Sequence, residues 1–156
     1  MERRGQLATA VGLVIVSSVL GALASGCGGN KNPADAYVAR ASSLCKAEGK
    51  KLNSVKTPTS PADLRRYLGD VLPIIEKSIG DLQRLDPPST LRSDHDQVIA
   101  LTKTGARMIA VWISKLDGGA DPSVVAAGVE QLDSLVKSVN DIWTRLGVED
   151  CALGLE

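Results

Sequence analysis

Beyond residue 32 the apolar positions recur every three or four residues, and prolines and glycines divide that rhythm into four segments. The first carries Tyr37, Ala41, Leu44, Cys45, Leu52 and Val55 on one stripe. The second carries Leu64, Tyr67, Leu68, Val71, Ile74, Ile75, Ile79, Leu82 and Leu85. The third runs through Leu91, Val98, Leu101, Gly105, Met108, Ile109, Trp112 and Leu116. The fourth runs through Val125, Val129, Leu132, Leu135, Val136, Val139, Ile142, Trp143 and Leu146. Spacing of this kind puts side chains on one face of an α-helix. No stretch alternates with a period of two, and no hairpin dipeptide joins two apolar runs. The pattern predicts helices over 33–56, 61–85, 89–116 and 122–146, joined by short connections. That is an all-α protein, an up-down-up-down four-helix bundle with a C-terminal tail, occupying 33–156.

The punctuation has a mechanism. Asn32-Pro33, Ser60-Pro61 and Asp121-Pro122 each place a capping side chain before a proline suited to the first helical turn. Gly118-Gly119 and Gly147 sit where helices end and a left-handed residue closes the last turn. Pro73 falls inside the second segment, with Gly69 at the carbonyl its ring would meet, so a kink is expected there and not a break.

The first thirty residues follow a different pattern. Arg3 and Arg4 precede an apolar run, Leu7 to Leu23, and no charge appears again until Lys31. A basic start, an apolar middle and a small-residue stretch make a secretory signal over 1–26. Gln6 interrupts the hydrophobic pair of a twin-arginine signal, which favours general secretion. Leu23-Ala24-Ser25-Gly26-Cys27 resembles the lipobox of bacterial lipoproteins, with Ala24 in place of the preferred leucine. That resemblance implies cleavage before Cys27 and a diacylglyceryl group, carrying fatty acyl chains such as palmitate, on its thiol. Residues 27–32 then form a short tether that holds the domain close to the membrane. Two other readings compete: an uncut transmembrane helix and plain secretion. Gly26, Gly28 and Gly29 weaken the first of these.

Composition narrows the picture. A chain of 156 residues with 18 basic and 18 acidic side chains suits one domain and argues against binding nucleic acid. The core has no Phe and must be built from aliphatic residues. Charge is unevenly spread: residues 27–57 carry six basic and two acidic groups, whereas 120–156 carry two basic and seven acidic. In this topology the first and fourth helices are neighbours, so opposite signs would meet.

With Cys27 lipidated, Cys45 and Cys151 remain, an even number in an exported chain. The tail after the fourth helix would emerge beside the first, which favours a Cys45–Cys151 disulfide; two buried thiols are the alternative. The mature region also resembles small exported helical-bundle lipoproteins of high-GC Gram-positive bacteria. The shared features are Cys45, Ser60-Pro61, Pro87-Pro88 and Leu146-Gly147-Val148-Glu149-Asp150-Cys151. The resemblance implies a fold and a location, and no reaction.

Ser43-Leu44-Cys45-Lys46, Ser93-Asp94-His95 and Lys103-Thr104-Gly105 imitate acyl-transfer triplets, but the third falls within a helix and needs a strand. His95 lies beside the apolar stripe as a partly buried helix-end residue. Met108 is about 20 Å further along the helix, too far to share one iron with it. Glu48 is the one acid that falls within an apolar stripe, between Cys45 and Leu52, where it would hydrogen-bond near the bridge, turn to solvent or meet a ligand. Trp112 and Trp143 are expected in the core, and Lys46, Lys50 and Lys51 form a small solvated basic face. No catalytic residues, cofactor or metal site are expected. The sequence points to a non-enzymatic, lipid-anchored extracytoplasmic bundle that binds a partner or supports the cell envelope. The alternative is a carrier for a small apolar ligand, in a cavity opened by Pro73 and Gly105.

Overall fold

The computed structural model describes residues 32–152, and the expected signal peptide, Cys27 and most of the tether lie outside them. Four helices follow in order: α1 (Pro33–Ser54), α2 (Leu64–Gln83), α3 (Ser89–Asp117) and α4 (Ser123–Arg145). Single 3₁₀ turns, Pro61–Asp63 and Glu149–Cys151, lead into α2 and follow α4. The protein is all-helical, with no strand among the described residues.

Local chemistry sets the boundaries. The Asn32 side chain accepts a hydrogen bond of 3.1 Å from the Ala34 N–H, and Asp121 accepts one of 2.8 Å from the Ser123 N–H. The latter bond holds the Asp121 carboxyl below the usual carboxylate range. Ser60 acts differently: its hydroxyl donates to Asp63 at 2.9 Å and caps no backbone group. At the other ends Gly119 (φ 83°) and Gly147 (φ 71°) take the left-handed conformation. Each closes a paired turn: Ala120 N–H reaches Lys115 O at 3.0 Å, and Val148 N–H reaches Trp143 O at 2.9 Å. This double bonding satisfies carbonyls that a helix end leaves orphaned. Helix α2 runs on through Pro73.

Three side-chain pairs fix the directions. Arg65, early in α2, makes a two-pronged pair with Asp117 at the end of α3, at 2.6 and 3.0 Å. Arg145, ending α4, meets Asp94, early in α3, at 2.9 Å. Tyr37, early in α1, meets His95, early in α3, at 2.9 Å. Neighbours in sequence are thus antiparallel, and alternate helices run the same way.

Successive helices pack side by side: α1 on α2, α2 on α3, α3 on α4. The fourth seam is different. Helices α1 and α4 make hardly any close backbone approach; the Glu149–Cys151 turn packs against both instead. Opposite charges therefore meet mainly through the tail, where Lys46 pairs with Asp150 at 3.1 Å.

The core forms two clusters along the bundle, with partly buried Leu72 and Ile75 packed against both. Tyr37, Ala41, Val98, Val139, Ile142, Trp143 and Val148 fill one end, and Leu68, Ile109, Trp112 and Val125 the other. One position on the α4 stripe departs from expectation. Val129 is 41% exposed, and Gly128 faces inward instead, where an added methyl group would stand 2.5 Å from Trp112 Cζ2. Val125, Gly128, Leu132, Leu135, Val139 and Ile142 follow a strict three-four spacing. Gly128 makes room for the indole on that seam.

Candidate functional site

Because α1 and α4 stand apart, the bundle keeps a cleft of about 670 Å³ at its fourth seam. Leu52 and Gly49 of α1 line it on one side, with Leu132, Leu135 and Val136 of α4 on the other. Behind them lie Leu68, Val71 and Ile75 of α2 and Gly105, Ala106 and Ile109 of α3. Asp150, Cys151 and Ala152 of the tail complete the lining at one end. The volume falls within the range of about 300–1,000 Å³ usual for small-molecule sites, and the lining is mostly aliphatic, as in such sites.

The carrier alternative placed a cavity at Pro73 and Gly105, and of these two residues Gly105 lines the cleft. A methyl group at Gly105 would stand 3.6 Å from both Leu132 Cδ1 and Leu135 Cδ2, an ordinary packing distance, so the glycine adds no more than a methyl's volume to the space. Pro73 is exposed on α2 and lines no part of it. The larger cause is the scarcity of close backbone approach between α1 and α4, which no apolar periodicity reports.

Two features of the sequence meet at the cleft. The disulfide Cys45–Cys151, with Cα atoms 4.9 Å apart, joins α1 to the tail across 106 residues. One turn further along α1 lies Glu48, only 5% exposed. Its Oε1 accepts from Lys51 Nζ at 2.8 Å, while its Oε2 is buried with no hydrogen-bond partner. Leaving a buried acceptor unfilled costs about 1–3 kcal/mol. Carboxylates are seldom buried without pairing, so this position is unusual for its residue type. Glu48 was legible as an acid on an apolar stripe; its half-satisfied state was not.

His95 lies elsewhere and has a settled role. It is 3% exposed and shares a hydrogen bond with the Tyr37 hydroxyl, their rings 5.6 Å apart edge to face. Burial pushes the Tyr37 hydroxyl up to about 12. Burial also holds the His95 ring below its ordinary value, partly offset by Asp96. A shallower hollow of about 380 Å³ beside His95 is lined by Arg92 and Lys103. Arg92 is already engaged there, with Asp86 at 3.0 Å and the Pro87 carbonyl at 3.1 Å.

The lowered His95 value makes stability depend on pH. As pH falls below about 6.5, the unfolded chain takes up the proton first, so stability is lost down to the folded value and is complete above about 6.5. This is the single histidine of the chain, and surface carboxylates titrate lower. The urea midpoint of the wild type should therefore drop between pH 8 and 5.5, and that of His95→Asn should drop less. Equal declines would assign the slope to other groups.

The acyl-transfer triplets are dispersed into other tasks. Asp94 pairs with Arg145, His95 with Tyr37, and Lys103-Thr104-Gly105 is helical. Trp112 and Trp143 are both buried. Among the described residues no cluster of His, Cys, Asp or Glu is arranged to hold a metal ion, and no helix is long and apolar enough to cross a membrane. Comparison with known proteins adds no assignment: no family model, curated protein or solved structure matches this chain.

Proposed function

We propose that this chain is a lipid-anchored extracytoplasmic binding protein that holds a small apolar molecule in the cleft between α1 and α4, with no chemical step. The cleft carries the reading. Of the two kinds of binding expected from sequence, an envelope partner and a small apolar ligand, an aliphatic cleft reached by all four helices favours the second. The anchoring half rests on the run Leu23-Ala24-Ser25-Gly26-Cys27 and the signal before it.

The test uses the full chain expressed with its own leader. Titration with the neutral fluorescent probe N-phenyl-1-naphthylamine should saturate at one molecule per chain. Val136→Trp, which puts an indole into the cleft from α4, should weaken that binding about tenfold or more, since burying the probe's aromatic surface supplies most of its affinity. Organic extraction of the purified protein followed by mass spectrometry should recover a stoichiometric small molecule. A probe that binds Val136→Trp as tightly as wild type, or fails to saturate, would remove the cleft from the argument.

A further inference from the structure

We infer that the cleft selects molecules whose polar end donates hydrogen bonds, an ammonium or a hydroxyl group, and discriminates against those ending in a carboxylate, with Glu48 as the recognising group. This rests on the binding reading above and adds the chemistry of the ligand's head. Glu48 is 5% exposed and lines the cleft, and one of its oxygens is filled by Lys51 while the other has no partner. The terminal torsion of a glutamate is broad, so either oxygen turns readily toward a donor. A carboxylate offers acceptors only, so what completes it must bring a proton.

The surrounding charge points the same way. Among the described residues, the two charged groups lining the cleft are both acids, Glu48 and Asp150. Their cationic partners, Lys51 and Lys46, have side chains 47% and 63% exposed and lie outside the lining. Water screens those lysines, whereas Glu48 faces an aliphatic wall where charge is weakly screened. A carboxylate head would bring like charge and a second set of acceptors against Glu48. An ammonium or hydroxyl head completes it, while a hydrocarbon body lies along Leu52, Ile75, Ile109 and Leu132.

Calorimetric titration of the full chain with dodecylammonium, dodecanol and dodecanoate at neutral pH, the two ions below their micelle concentrations and the alcohol below its solubility limit, tests this. Dodecylammonium and dodecanol should bind about tenfold or more tighter than dodecanoate, the fold-change of one hydrogen bond to a charged group. Glu48→Gln should erase most of that preference, and an undiminished preference in that variant overturns the inference. Lys51→Ala keeps Glu48 in place and removes its neutralising partner, so it should tighten dodecylammonium binding; weaker binding there overturns the inference. Equal affinity of wild type for all three heads, or a preference for dodecanoate, overturns it too and leaves the cleft reading intact. Failure of all three probes and of the naphthylamine overturns both.

Discussion

Reducing the Cys45–Cys151 bridge is expected to lower the melting temperature by roughly 12–20 °C while leaving helix content at room temperature unchanged. The two cysteines are 106 residues apart, and closing a loop of that length removes much of the freedom of the unfolded chain. On the chain-entropy model this stabilises by about 4–5 kcal/mol, which converts to that shift for a domain of this size. The helices survive at low temperature because each buries a long apolar stripe against a neighbour, and packing supports helices more than propensity does. Circular dichroism at 222 nm, scanned with and without reductant, measures both quantities. A melting point unmoved by reduction would mean that the tail adds little to folding. Cys45→Ala combined with Cys151→Ala should reproduce the reduced curve.

Trp143→Ala is expected to cost about 3–5 kcal/mol, the usual loss for truncating a buried tryptophan. The side chain is 3% exposed and belongs to the main core, beside Val139 and Ile142. It also lines one end of the cleft, so its removal enlarges a space that already exists and leaves its neighbours less able to collapse inward. Urea unfolding followed by the remaining Trp112 gives the difference directly. A loss under about 1 kcal/mol would place Trp143 in a setting that tolerates repacking. Total stability of a domain is only about 5–15 kcal/mol. Trp143→Ala under reducing conditions should therefore be unfolded or nearly so at 37 °C.

Much of the fold was legible because its causes are local. Asn32, Asp121, Gly119 and Gly147 act within one turn of themselves, and a three-four apolar rhythm needs only the neighbouring residues to be read. The bridge was legible from cysteine count and topology together. What escaped depends on which helices fail to touch. Nothing in the stripes of α1 and α4 announces that the tail takes the place of one against the other. Half-buried Leu52 and Val136 look like ordinary core residues in sequence, yet they line the cleft. Val129 was read as core because it is apolar, while the true inward position, Gly128, has no side chain to reveal it. Glu48 could be flagged by its place on the stripe, but its unfilled oxygen depends on what packs around it in three dimensions.

A seam left ajar has a consequence for rates. In a bundle sealed on all sides, an internal site can be reached only when helices part, and such opening makes the slow step of uptake a rearrangement of the protein. Here α1 and α4 are already separated along the cleft, and the tail that bridges them is fastened by a covalent link at Cys45. A molecule entering at this seam need disturb no helix packing. Its arrival would be governed by diffusion and orientation, and different occupants would be told apart chiefly by how long they stay.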